Sequence, residues 1–332
     1  MAHCSRLRIS VALVFMAWRA GLTPTSCQRL DDRLAARRCD VPVPRGCVTA
    51  RSFQPRKVMV TMIDKKIAFV GAGQMAVALA RGFVAAGLCR GDQILAYDPS
   101  PEAAQRFAGT ADGIELQASN RQSVEQAGIV LLAVKPQQLR AVAEEIRGAL
   151  HEQQLVVSIA AGVGLAKLTT WLGTERLVRV MPNTPCLVGK GASAFALGPG
   201  ATEADAALVQ QMMTSVGLAF QVQEPYMDCV TGLSGSGPAY VYLLIEALAD
   251  GGVRAGMPRH MALALAAHTV RGAAEMVVSE QEHPAVLKDR VTSPGGTTIA
   301  GLQVLEERGV RAAAMAAVMA ATERSRELGQ AD

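Results

Sequence analysis

Apolar and polar positions change rhythm along this chain. Beginning at Lys65, the run IAFV stops abruptly at Gly71, after which QMAVALARGFVAAG repeats with a period of about 3.6 residues. The segment therefore predicts a short buried strand, a glycine turn and an amphipathic helix. QILAYDP, GIVLLAVKPQQL and LVVSIAAGV have the same form: apolar strands that end at Asp98, at Lys135-Pro136 and at Ala160-Ala161-Gly162. RLVRVMPNTPCLVGKGASAFAL continues the β-rich pattern, with Met181-Pro182-Asn183-Thr184-Pro185 as a rigid loop between strands. After Glu224-Pro225 the rhythm is helical, and GPAYVYLLIEALADGGVRAG, MALALAAHTVRGAAEMVV, TTIAGLQVLEERG and VRAAAMAAVMAATERSREL are apolar nearly all round. Helices of that kind cannot remain in water, and alanine-rich ones suit close packing against a second copy of the chain.

Strand, turn and helix in alternation predict an α/β fold: a Rossmann-type dinucleotide-binding domain over residues 63–224, then an all-α dimerisation domain over 225–332. In GAGQMA, Gly71 permits the tight turn and Gly73 lets a pyrophosphate approach the backbone. The amides of Gln74, Met75 and Ala76 open a helix whose positive end faces that anion. Ala76 stands where a third glycine is usual and a small residue is required. Asp98, closing the next strand, is placed to accept from adenosine ribose hydroxyls and would repel a 2′-phosphate. Equally, Asp98-Pro99-Ser100-Pro101 reads as a cap for the following helix. Val134 and Lys135 fall at the carboxyl edge of the sheet, within reach of a cofactor, although a lysine there is commonly just solvated. Asn183 is placed to contact substrate or cofactor, but reads chiefly as a turn-shaping residue.

Residues 287–299, LKDRVTSPGGTTI, interrupt the helices and read as a substrate loop. Pro294 fixes a turn, Gly295 and Gly296 leave amides uncovered, and Thr297 and Thr298 bring hydroxyls to a helix start, an arrangement that would hold a carboxylate. The same pattern also fits an ordinary N-capped helix.

Residues 1–62 are a composition island, rich in Arg, Cys and Pro, with an apolar run at 9–18. That run falls short of the ~20 residues a bilayer span needs. It is expected to be a leader, a disordered extension, or sequence upstream of a start at Met59 or Met62, the last being favoured. Formal net charge is only +4, and much of the excess lies in this stretch, so no basic stripe for nucleic acid marks the body and a small-molecule substrate is expected. Of seven cysteines, Cys89, Cys186 and Cys229 are scattered singly through the body without CxxC or Cys/His spacing, which fits a reduced chain with no structural metal. His151, His260, His268 and His283 have no partner in sequence and read as surface positions.

Taken together, GAGQMA, AVKPQ, MPNTP, GLSGSGPAY and VTSPGGTT follow the order and rough spacing of the pyrroline-5-carboxylate reductase family, which this chain resembles over residues 65–328. The resemblance implies reduction of the C=N of 1-pyrroline-5-carboxylate to L-proline with NADPH or NADH, in the cytoplasm, by a homodimer that often builds a larger ring. It also implies a site shared between neighbouring subunits, without membrane or nucleic-acid partners. Carried over by motif, Val70, Gly71, Ala72, Gly73, Gln74, Met75, Asp98, Asn120, Ala133, Val134, Lys135, Pro136, Ala161 and Arg290 line the cofactor. Glu224, Ser293, Gly295, Gly296, Thr297 and Thr298 line the substrate, with Thr298 the candidate catalytic hydroxyl. Two departures bear on the cofactor: Asp98 replaces the serine or Asn-Arg of NADPH-preferring relatives, favouring NADH, and Arg290 replaces an asparagine, adding a cation that would offset this. A β-hydroxyacid-type dehydrogenase is the rival reading, but it needs a lysine on the first long C-terminal helix, and from Tyr226 onward the only lysine is Lys288. A non-catalytic nicotinamide sensor would not need the residue 293–298 segment.

Overall fold

A computed structural model describes residues 61–330, so the expectation for residues 1–62 lies outside the described residues except at its last two positions. There the Thr61 carbonyl accepts from Gln211 Nε2 at 2.7 Å.

The α/β portion runs β1 (Ile67–Val70), α1 (Gln74–Ala85), β2 (Ile94–Tyr97), α2 (Pro101–Ala108), β3 (Glu115–Leu116), α3 (Asn120–Glu125), β4 (Ile129–Leu132), α4 (Pro136–Ile146), β5 (Leu155–Ser158), α5 (Leu165–Leu172), β6 (Leu177–Met181), β7 (Gly191–Leu197), α6 (Glu203–Thr214) and β8 (Gly217–Gln221). Its strands form one sheet ordered β3-β2-β1-β4-β5-β6-β7-β8. The first six are parallel, and only β7 runs against its neighbour β6. Chain direction reverses its course beside β1, which lies between β2 and β4 with Ile67 opposite both Ile94 and Ile129. That reversal opens the crevice in which doubly wound folds hold ligands.

β1, β4 and β5 are buried along their whole length because helices cover both faces of the sheet, which is why the sequence shows unbroken apolar runs instead of alternation. Under one face the ring of Phe69 packs at 5.0 Å from Phe107 and 6.3 Å from Phe83, each pair adding about 1 kcal/mol beyond area burial. On the other, Val70, Leu132, Leu139 and Leu168 make a second core. α6 begins with a capping box in which Thr202 and Asp205 satisfy one another's backbone, and buried Asp205 takes a forked pair of hydrogen bonds from Arg176 at 2.7 and 3.0 Å.

The sheet gives way to helices through the short turn Glu224–Tyr226. α7 (Met227–Val230) continues into a wide π turn, Thr231–Gly235, then α8 (Gly237–Arg254), α9 (Arg259–Glu280), α10 (Pro284–Arg290), α11 (Thr297–Glu307) and α12 (Val310–Gln330). α12 returns to the sheet. A Cβ on Gly232 would lie 2.3 Å from Thr322 Oγ1, so the glycine permits contact between the π turn and α12. Ser325 Oγ donates to Asp228 at 2.7 Å. Further along, a Cβ on Gly162, just beyond β5, would lie 3.5 Å from Leu328 Cβ, and one on Gly329 3.0 Å from the Gly162 carbonyl, so α12 passes close to this turn.

α8 and α9 bury only small residues against each other, namely Ala249, Ala262 and Ala266. Their outer faces stay open within one chain: Leu243 is 68% exposed, Val278 70% and, on α12, Met315 66%. α10 corrects the sequence reading. Residues 287–290 were expected in a loop and instead form the second half of a helix started by Pro284, so the loop proper begins at Val291.

Candidate active site

Each motif supplies one wall. Gly71 sits at φ +95°, where an L side chain is strained, and a Cβ there would meet Val134 Cγ1 at 2.9 Å and the Ala133 carbonyl at 3.0 Å. Its N–H donates to the Tyr97 carbonyl at 2.9 Å, pinning the turn to β2. Gly73 is the N-cap of α1, with no side-chain cap and no acid in the first turn, and a Cβ on it would meet nothing within 4 Å. An uncapped helix start with open space above it fits the pyrophosphate of a dinucleotide, whose charge would satisfy the free amides of Gln74 and Met75.

Asp98 does more than either sequence reading assigned to it. Its Oδ2 accepts from Ala72 N at 2.8 Å and its Oδ1 from Ser100 N at 2.9 Å, so one carboxylate ties the glycine turn to the start of α2. The capping itself falls to Ser100, whose Oγ accepts from Ala103 N with Pro101 in the first helical turn. Asn120, buried at the start of α3, donates to Glu145 at 3.1 Å. At the ends of β4 and β5, Ala133 N donates to the Val70 carbonyl at 2.8 Å, and Val134 and Ala161 are half-buried. Lys135 is an exposed N-cap and Pro136 the first residue of α4. Asn183 shapes its turn as expected, accepting from Ala192 N at 2.9 Å, and it also donates to the Ser234 carbonyl at 3.0 Å, fastening the MPN loop to the π turn.

On the helical side, Gly295 is at φ +67° and Gly296 is the N-cap of α11, again without a side-chain cap or a first-turn acid. Gly296 N donates to the Ser293 carbonyl at 3.1 Å. A Cβ on Gly296 would approach Ser293 Oγ to 2.3 Å and the Ser293 carbonyl to 3.2 Å, so a side chain there would displace the Ser293 hydroxyl. Thr297 is exposed and Thr298 half-buried at the same helix start. Among the described residues no hydrogen bond joins residues 293–298 to the glycine turn. Arg290 donates to Glu280 and Glu282 at 2.7 and 2.6 Å, its guanidinium occupied by carboxylates of its own chain.

Glu224 brings a residue that sequence reasoning missed. Its Oε1 accepts from Leu165 N, at the start of α5, at 3.1 Å and from Arg179 at 2.8 Å. Arg179 is 5% exposed in the middle of β6, and its Nη2 and the Glu224 Oε2 are buried without a protein partner. A cation within the apolar run LVRVM was the available signal.

Fold and site together define a dinucleotide-dependent oxidoreductase whose helical portion associates with another copy. The family model described as pyrroline-5-carboxylate reductase dimerisation matches residues 224–328, and the one described as NADP oxidoreductase coenzyme F420-dependent matches residues 66–162. The chain is 48% identical to the pyrroline-5-carboxylate reductase of Arabidopsis thaliana over 265 residues, 80% of this chain and 96% of that one. Among solved structures, the Plasmodium falciparum pyrroline carboxylate reductase with NADP bound superposes with a TM-score of 0.74 at 35% identity, covering 81% of this chain and all of that one. The Coxiella burnetii pyrroline-5-carboxylate reductase gives 0.75 at 35%, covering 80% and 99%. The chain belongs to the pyrroline-5-carboxylate reductase family. It is an NAD(P)H-dependent oxidoreductase of proline biosynthesis that reduces the C=N of 1-pyrroline-5-carboxylate to L-proline, and the hydroxyacid dehydrogenase and sensor readings are set aside.

Proposed function

We propose that the two half-sites divide the reaction between them: residues 63–224 hold the dinucleotide, and residues 225–332 hold the cyclic imine and the dimer contact. The observation that carries this reading is the pair of uncapped glycine-led helix starts, one at Gly73 and one at Gly296, each able to take an anion. Val70 to Met75, Asp98, Asn120, Ala133 to Pro136 and Ala161 line the cofactor. Ser293, Gly295, Gly296 and Thr297 hold the substrate carboxylate through bare amides and a hydroxyl, and Thr298 Oγ hydrogen-bonds the ring nitrogen. Glu224 contributes a carboxylate kept in place by Arg179 and the α5 amide.

Reduced nicotinamide, when bound, supplies the hydride. The imine nitrogen is readily protonated near neutral pH, so what remains for the protein is placement: the ring carbon must face the hydride donor, and the carboxylate must not drift. Each complete site takes its glycine turn from one subunit and its Ser293–Thr298 segment from another, a reading supported by the match of residues 224–328 to a dimerisation domain. Dimers assemble further into a ring, and the enzyme works in the cytoplasm, where soluble cofactor is found. Asp98 favours NADH by charge repulsion against a 2′-phosphate, and Arg290, already paired with two acids, offsets that little.

Steady-state oxidation of NADH and NADPH with 1-pyrroline-5-carboxylate tests the assignment. Thr298→Ala should lower kcat/KM for the imine by about 10-fold or more, a typical contribution for a group acting on the reacting nitrogen, with the KM for nicotinamide cofactor unmoved. An unchanged kcat/KM would remove Thr298 from the mechanism.

A further inference from the structure

Gln281 is the one non-glycine residue at positive φ among the described residues, at +54°. It terminates α9 and stands between Glu280 and Glu282. A residue with a Cβ reaches the left-handed region only uphill, so something on the folded side must hold it there. The turn has a visible result. Neighbours on either side of a helical residue normally point apart, yet here both acids reach the same guanidinium: Arg290 Nη1 donates to Glu280 Oε2 at 2.7 Å and Nη2 to Glu282 Oε1 at 2.6 Å. Glu282 Oε2 is buried without a hydrogen-bond partner, and the bond from Arg290 is taken by Oε1.

Arg290 is the last residue of α10, and the loop to α11 starts immediately after it. Thr292 is fastened back onto the same last turn, its N–H donating to the Asp289 carbonyl at 3.0 Å and its Oγ1 to the Lys288 carbonyl at 2.7 Å. The clasp thus fixes the end of α10 against the end of α9, and α10 carries that constraint to the residue before Ser293. A lone exposed ion pair does little, but a planar fork bridging two carboxylates across a forced turn restricts where a short segment can go.

We propose that Arg290 is a positioning residue of the reaction: its fork between Glu280 and Glu282 sets where Ser293, Gly295, Gly296, Thr297 and Thr298 present their amides and hydroxyls. This rests on the reading that those residues hold the imine.

Kinetics on the full chain decide it. Arg290→Gln should raise the KM for 1-pyrroline-5-carboxylate about 5–10-fold, the size of coupling expected within one hydrogen-bonded network, without moving the KM for NADH or NADPH. The Glu280→Gln/Glu282→Gln variant should give the same increase, and all three substitutions together no more than either, because each removes one clasp. Arg290→Lys, which keeps the charge and loses the fork, should recover only part. An unmoved imine KM, a rise confined to or shared equally by the cofactor KM, or effects that multiply would each overturn the proposal. Gly295→Ala, at φ +67°, separates this from the underlying reading. If it leaves the imine KM unchanged, the loop is not the substrate site. If it raises that KM while Arg290→Gln does not, the loop stands and the clasp fails.

Discussion

Asp98 shows how one side chain can hold two duties that a substitution separates. If Asp98 faces the ribose as proposed, Asp98→Ser removes a repelling charge and the ratio of kcat/KM for NADPH over NADH should rise. It also takes away the acceptor for Ala72 N, so the KM for both cofactors should increase as the glycine turn loosens. An unchanged ratio would reject the charge argument, and an unchanged NADH KM the structural one. Asp205 is a second residue whose neighbours decide its behaviour. Burial alone would push its pKa up, but the Arg176 guanidinium, then the Thr202 amide and hydroxyl, outweigh that and hold it at about 2 against the ordinary 3.8. Because the folded value is the depressed one, the stabilisation is present above roughly pH 4 and is lost as pH falls toward 2; at about 1.4 kcal/mol per pH unit it amounts to about 2 kcal/mol. Arg176→Met should flatten the acid limb of a denaturation curve taken between pH 5 and pH 2, whereas an acid limb identical to that of the parent would show that the pair contributes nothing. Glu224 and Arg179 mark the limit of residue-level reading: the acid is suggested by motif and the cation by its odd position, but nothing in sequence says that strand β6 and the turn after β8 bring them to 2.8 Å.

At the scale of elements, the parallel strands and the glycine turn were legible because both faces of the sheet are covered, and burial on both faces leaves a strong apolar signal. The long C-terminal helices were legible from length and a nearly unbroken apolar pattern, although one chain buries little more of α8 and α9 than Ala249, Ala262 and Ala266. What escaped were elements with no such signal. α10 is seven residues, mostly exposed and too short to show a period, and it is set by Pro284 and a His283 cap. The π turn at Thr231–Gly235 is dictated by α12 lying across Gly232, a contact between positions far apart in the chain. Gly232→Ala tests that dictation: its new methyl would lie 2.6 Å from the Val318 carbonyl as well as 2.3 Å from Thr322 Oγ1. A cost of about 1–3 kcal/mol is expected for such overpacking, seen as a lower Tm in calorimetry. A Tm equal to the parent's would mean that α12 can shift aside freely.

Across the whole molecule, the helical portion cannot be understood from one chain. α9 has a mean hydropathy of 1.2 with 11% of that stretch buried, enough by length and composition to cross a membrane. The match to a dimerisation domain over residues 224–328 gives its apolar faces a different cover. Leu243→Glu with Met315→Glu should therefore shift the protein toward monomer in light scattering, and on the shared-site proposal it should also abolish turnover. Retained activity in a species shown to be monomeric would contradict the shared-site reading. Stability should likewise depend on protein concentration, Tm rising as the dimer is favoured.

The meeting of Leu328 and Gly329 with Gly162 has a practical side. Residues 328 and 329 lie close to the turn that follows β5 at the carboxyl edge of the sheet, so a bulky group fused directly after α12 should disturb that turn. Protein fused after α12 should be compared with unfused protein before any kinetic constant is taken as the enzyme's own.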